Sequence, residues 1–233
     1  MINEAVILAG GFGTRLRGII DDLPKPMAPV RGRPFIEWLL NHLRHNGIEK
    51  TVIASGYLHE TISSYFGKAY GEMAIEYSVE NEPLGTGGAV LMAAGKIKGE
   101  NFFLLNGDTF FDVGLNSFYE FFISYPAVLS VALKPVENAG RYGMVKLEGN
   151  RITSFSEKTN ENRGLINGGV YIINRGWFDR NAPGTRFSLE KDILEKKVGE
   201  DVITGYPCDS YFIDIGIPDD YRRAWEELHA PEP

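Results

Sequence analysis

The stretch "LAGGFGTRLRGIIDDLPKPM" (residues 8–27) runs on directly from a strand-like "EAVILA" (4–9), and its reading decides the fold. Glycines at 10, 11 and 13 let the backbone leave the strand in a tight turn and come close to a ligand. Amides from Gly10 to Thr14 can then wrap an anion, and Arg15 and Lys25 bring full positive charges to the same place. Pro24 and Pro26 restrict the backbone on either side of Lys25, which favours a lysine held in place. No Gly-Lys-Ser/Thr ends the loop, so it is not a Walker A site, and Leu16 stands where a dinucleotide fingerprint needs its third glycine. What remains is a loop suited to a triphosphate with fixed cations along it, weighed against a plain structural turn.

Outward from this loop, strand and helix patterns alternate. "KTVIAS" (50–55), "MAIEYSV" (73–79) and "NFFLLN" (101–106) read as strands. Between and around them lie helical "PFIEWLLNHLRHNG" (34–47, with Gly47 as its stop), "LHETISSYFG" (58–67) and "GTGGAVLMAAGKI" (85–97). Regular alternation predicts a three-layer, Rossmann-like α/β fold with a mainly parallel sheet covered on both faces. The second half differs. "YGMVKLEGNRITSFSEK" (142–158) carries a hairpin signature, "GGVYIINR" (168–175) reads as a strand, and "FSLEKDILEKKVG" (187–199) as a helix capped by Ser188. Strands at 201–207 and 210–216 precede a last helix at 219–229. The whole, 1–233, reads as a single domain with an inserted β-hairpin or small lobe.

At 233 residues and 43% hydrophobic content the chain can bury a core of its own. A net charge of −7 argues against nucleic acid or an anionic membrane as partner, but not against a small phosphorylated molecule. No apolar run is long enough to cross a bilayer, and Glu4 stands where a signal peptide wants basic residues, so a cytoplasmic protein is expected. The one cysteine, Cys208, excludes an internal disulfide and a thiolate metal cluster, and reads as packing at a strand edge. His42 and His45 lie three apart on a helical pattern, where a solvated face is a better reading than a metal pair. The aromatic run at 118–125 reads as core or as a subunit contact, which leaves a homodimer open.

"GGFGTRL" (10–16) followed by "PKPM" (24–27) resembles the signature of the sugar-phosphate nucleotidyltransferases, which join a sugar 1-phosphate to an NTP and release pyrophosphate. The resemblance continues in order through "ENEPLGTGGA" (80–89), "LLNGDTFF" (104–111), "EK" (157–158), "NGGVY" (167–171) and "DIGIPDDY" (214–221). Within the family, the chain looks most like the D-glycero-α-D-manno-heptose 1-phosphate guanylyltransferases. The resemblance implies GTP and a sugar 1-phosphate as partners, Mg²⁺ as cofactor and a GDP-heptose for cell-surface glycans as product. It also implies a mainly nucleotide-binding part, 1–112, and a mainly sugar-phosphate-binding part, 113–233. Mannose 1-phosphate guanylyltransferase and glucose 1-phosphate thymidylyltransferase stand as alternatives. A non-catalytic nucleotide-sugar sensor is a third class, which has no need for the full set of charged residues.

Carried over residue by residue, the resemblance makes Arg15 and Lys25 the catalytic cations. Leu8, Ala9, Gly10, Gly11, Gly13, Thr14, Glu80, Gly85, Thr86, Asn106 and Gly107 would bind nucleotide. Asp108 and Asp214, each at the end of a strand-like run, would hold the metal, for which hard oxygen ligands are suited. Asp112 reads instead as a cap for the next segment. Glu157 and Lys158 would take the sugar hydroxyls and its 1-phosphate, with Gly143, Asn167 and Gly168 lining the pocket. Thr159 stands where many relatives have proline. Glu80 carries the base argument: a carboxylate only accepts, which matches the paired N1–H and amino donors of guanine and no edge of thymine. A solvent-facing glutamate at a strand end is the competing reading.

Overall fold

The computed structural model describes residues 1–10, 23–137, 143–156 and 163–229. The strands are β1 (Glu4–Leu8), β2 (Pro29–Val30), β3 (Arg33–Pro34), β4 (Lys50–Ser55), β5 (Ala69–Tyr70), β6 (Met73–Val79), β7 (Asn101–Asn106), β8 (Thr109–Phe111), β9 (Leu129–Val136), β10 (Met144–Glu148), β11 (Arg151–Ser156), β12 (Gly164–Asn174), β13 (Ile203–Pro207) and β14 (Phe212–Asp214). The helices are α1 (Phe35–His45), α2 (His59–Phe66), α3 (Gly85–Ala94), α4 (Leu115–Ile123), α5 (Arg175–Asn181), α6 (Glu195–Lys197) and α7 (Pro218–Glu227).

Ten strands form one sheet in the order β10-β11-β13-β9-β12-β7-β1-β4-β6-β5. β7, β1, β4 and β6 are parallel, as the alternation in the first half predicts. β12 then runs antiparallel between β7 and β9, so the sheet as a whole is mixed. The hairpin β10–β11 exists, and it joins the same sheet through β13 and β12. β8 and β14 pair antiparallel in a separate two-stranded sheet.

Side chains alternating along each strand build two cores. Ala5, Ile7, Ile53, Phe103 and Leu105 pack with α1, α2 and α4 on one face. Val6, Val52, Phe102 and Leu104 pack on the other with α3, α5 and the segment Leu189–Leu194. That segment, expected as ordinary helix, is wound as a π-helix running into α6, and Ser188 caps it by accepting from the Lys191 N–H at 3.2 Å. Phe118 and Phe122 of α4 are buried, so the aromatic run is largely core. Cys208 is half-buried and its thiol meets the Ser210 hydroxyl. Among the described residues, no helix is long and apolar enough to cross a membrane.

A third, smaller core holds the lysine segment. Ala28, Val30, Phe35 and Trp38 pack against Ile213, Ile215, Tyr221 and Ala224, so α7 and β14 clamp residues 24–35.

Two expectations fail on one contact. His42 is buried, its side chain 7% exposed, and lies edge-on to Phe110 at 5.6 Å, so it is no part of a solvated face. Its Nδ1 lies 3.5 Å from Asp112, which therefore pairs with a histidine. α4 starts instead from Gly114 with no side-chain cap. Burial lowers the His42 pKa, against the pull of Asp112 in the other direction.

Candidate active site

β1 has β4 on one side and β7 on the other, so the chain order reverses between β1 and β7, and ligands of open α/β sheets bind beyond the strand ends at such a point. A cavity of about 620 Å³ lies there. Its wall takes Leu8 at the end of β1 and Gly10 beyond it, Gly56 and Tyr57 after β4, and Glu80 after β6. Asn106 ends β7 with Gly107 and Asp108 beyond it, Gly85 and Thr86 open α3, and Lys25 and Pro26 come from the clamped segment.

Lys25 opens a 3-10 turn, Lys25–Met27, whose Pro26 and Met27 are buried. The turn is closed by the Met27 N–H on the Pro24 carbonyl at 2.7 Å and the Ala28 N–H on the Lys25 carbonyl at 3.0 Å. Fixed backbone on both sides holds the side chain, 13% exposed, so that its ammonium donates to Asp108 Oδ2 at 2.5 Å.

The β8–β14 pair puts Asp214 opposite Thr109, and the Ile215 N–H donates to the Asp108 carbonyl at 2.9 Å. Two acids far apart in sequence thus meet. Burial first, then the Asp108 charge, pushes the Asp214 carboxyl up to about 6, against Lys25 and the Gly216 N–H that it accepts at 2.6 Å. One ammonium among two carboxylates leaves this trio a net negative charge. A divalent cation fits such a donor set: two hard carboxylates with room for phosphate and water as further ligands. Among the described residues there is no group of three or more metal-type side chains, so the fit is to a metal that shares its shell with a substrate.

Glu80 does not face solvent alone. Its Oε2 accepts from the Leu84 N–H at 2.8 Å, and a Cβ placed on Gly10 would lie 2.8 Å from its Oε1. The carboxylate is thereby fixed on the cavity wall with its second oxygen near the strand end.

Gly85 has φ +75°, and a Cβ there would come within 2.5 Å of the Phe187 carbonyl oxygen. Gly87 and Gly88 would likewise overlap Phe187 and Thr185 if they carried side chains. Packing against residues 185–189 by itself requires these glycines, although Gly85 also lines the cavity. Gly107 is required by the Leu8 carbonyl, to which its own N–H donates at 2.9 Å.

The remaining expectations divide. Ala9 is buried behind the wall and donates to the Ala54 carbonyl. Asn167 turns inward, donating to the Tyr171 hydroxyl at 2.8 Å and accepting the Gly169 N–H at 3.0 Å. Gly168 faces the Phe111 ring, and Gly143 is exposed. None of these four lines the cavity. Gly11, Gly13, Thr14, Arg15, Glu157 and Lys158 lie outside the described residues. Sequence reasoning missed Glu190, which reaches the wall from the π-helix, and Tyr57, 55% exposed at its edge.

Comparison with known proteins agrees with this geometry. The chain is 47% identical over 225 residues to the D-glycero-alpha-D-manno-heptose 1-phosphate guanylyltransferase of Aneurinibacillus thermoaerophilus, covering 97% of this chain and 98% of that one. It is 40% identical over 219 residues to the enzyme of the same name from Campylobacter jejuni, covering 94% and 96%. The crystal structure of HddC from Yersinia pseudotuberculosis complexed with GMP-PN superposes with a TM-score of 0.86 at 33% identity, over 97% of this chain and 99% of that one. Residues 4–230 match the nucleotidyl transferase family, and with a strand-end cavity, a clamped lysine and paired aspartates in place, the chain belongs to that family.

Proposed function

We propose that this chain is a D-glycero-α-D-manno-heptose 1-phosphate guanylyltransferase, converting GTP and the heptose 1-phosphate to GDP-heptose and pyrophosphate in the cytoplasm. The observation that carries the reading is the 47% identity over nearly the full length of both chains to a protein of that name. The fixed Lys25–Asp108 pair at the ends of the parallel strands supports it.

The chemistry joins two anions. A phosphate oxygen of the sugar attacks the α-phosphorus, a new P–O bond forms, and the α–β bridging bond breaks with its electron pair leaving on pyrophosphate. The attacking phosphate is already ionised, so no general base is required. Lys25, held by its turn, neutralises charge as it builds on the α-phosphate, and the family resemblance gives Arg15 the nucleotide phosphates to neutralise. Enzymes of this family generally use a divalent metal. We assign Mg²⁺ as that metal; Asp108 and Asp214 would hold it, and it would supply further neutralisation of the phosphates. Glu80 accepts the N1–H and amino group of guanine; Glu157 and Lys158 take the sugar and its phosphate.

The test is pyrophosphate release across four NTPs and a set of sugar 1-phosphates. GTP with the heptose 1-phosphate should give the highest kcat/KM. A preference for mannose 1-phosphate overturns the sugar assignment, and a preference for dTTP overturns the guanylyl one.

A further inference from the structure

Two cavity carboxylates, Glu82 and Glu190, have no task in this reaction, and Glu190 is the one held by hydrogen bonds from two hydroxyls. Glu190 sits on the first turn of the π-helix, where the wider winding and the Ser188 cap set its direction. Its Oε2 is held twice, accepting from the Thr86 hydroxyl at 2.7 Å and the Ser188 hydroxyl at 2.8 Å. Thr86 is itself oriented, because its oxygen accepts the Leu189 N–H at 2.9 Å. After burial, the Glu190 charge is the next cause raising the pKa of the buried Tyr171, whose hydroxyl meets Asn167 and the cavity-lining Asn106. Lys25 is engaged by Asp108, and no cation among the described residues pairs with Glu190.

A braced carboxylate on the cavity wall, paired with no cation among the described residues, accepts hydrogen bonds from hydroxyl groups. Phosphate is repelled by it and the guanine donors are assigned to Glu80, which leaves the polyol portions of the substrates. We propose that Glu190 is a binding residue for a sugar hydroxyl, contributed either by the ribose of the nucleotide or by the ring of the sugar 1-phosphate. This rests on the nucleotidyltransferase reading, and it concerns the ligand's hydroxyls, separately from its base and phosphates.

The experiment compares the parent enzyme with Glu190→Gln, which keeps the acceptor for Thr86 and removes the charge, and with Thr86→Val, which removes the brace and keeps the charge. Calorimetry reads the affinity for GTP, 2′-deoxy-GTP and 3′-deoxy-GTP, and for heptose 1-phosphate in the presence of a non-hydrolysable GTP analogue. Loss of a charge-assisted hydroxyl contact is worth about ten-fold in affinity. If heptose 1-phosphate weakens by that factor and GTP does not, the hydroxyl is the acceptor's. If GTP weakens and one deoxynucleotide, already weak, is unaffected, the hydroxyl is the ribose's. Unchanged affinities in Glu190→Gln overturn the proposal. So does an equal loss for all ligands matched by Thr86→Val, since that pattern belongs to a purely structural brace. Pyrophosphate release by the parent enzyme is read separately, so failure of the function is distinguished from failure of this assignment.

Discussion

Replacing Asp214 by asparagine should stabilise the metal-free protein at neutral pH. Burial and the charge of Asp108 raise the folded-state pKa of this carboxyl from 3.8 to about 6. An acid whose pKa is raised on folding costs nothing when protonated in both states. Its penalty grows as pH climbs from about 4 to about 6 and is complete above that. At ~1.36 kcal/mol per pKa unit the full penalty is about 3 kcal/mol, and partial exposure of the site reduces it to about 1–3 kcal/mol. Asparagine keeps an oxygen for the Gly216 N–H, so the turn after β14 survives. For a chain of this size the gain corresponds to a rise in Tm of about 2–6 °C. Calorimetric melts in EDTA at pH 7.5 and pH 4.5 check it: the stabilisation at the lower pH should be about a third of that at the higher. With Mg²⁺ and GTP at saturation the order should reverse, because only the parent protein gains the linked binding energy. An asparagine variant less stable than the parent at pH 7.5 without metal, or an effect independent of pH, would refute the account of two acids confined together.

Lys25→Ala should lower kcat by about 10²-fold or more in steady-state assays, whereas a rise in KM for GTP alone would assign the lysine to uniform binding. Glu80→Gln should reduce the preference for GTP over dTTP, read as the ratio of kcat/KM, by about 1–3 kcal/mol. An unchanged ratio removes Glu80 from base recognition. Gly85→Ala should destabilise the fold by about 2–4 kcal/mol in urea titrations, from positive φ together with overlap on the Phe187 carbonyl. Near-parent stability there would mean that residues 185–189 yield easily.

Much of the cavity wall could be read from sequence because it stands at strand ends. A glycine or aspartate directly after an apolar strand is placed by local pattern, and Gly10, Glu80, Asn106 and Asp108 all fall on the cavity wall. Strand direction is a different matter: "GGVYII" is buried on both faces, and its composition reads the same whether it runs parallel or antiparallel to β7. His42 shares a helical stripe with Leu39 and Leu43, and its burial depends on Phe110, which approaches from another part of the chain. Asn167 sits in the expected segment, yet a tyrosine four residues on claims its amide. Glu190 was hidden because "SLEKDIL" has the charge pattern of a solvated helix. Its orientation comes from π winding and from a hydroxyl 104 residues away.

The interlock between the glycine turn and residues 185–189 has a mechanical consequence. Gly85, Gly87 and Gly88 leave no space for a Cβ against Thr185 and Phe187, and the Gly87 and Gly88 N–H groups both donate to the Phe187 carbonyl. The Phe187 N–H returns the bond to the Leu84 carbonyl at 3.0 Å. Two parts of the wall, one from each half of the chain, are thereby cross-braced like a hinge welded shut. A ligand that displaces α3 carries the π-helix along with it, and slack on one side is slack on the other. Substitutions meant to widen the pocket from the α3 side must therefore be designed together with residues 185–189, since neither surface relaxes alone.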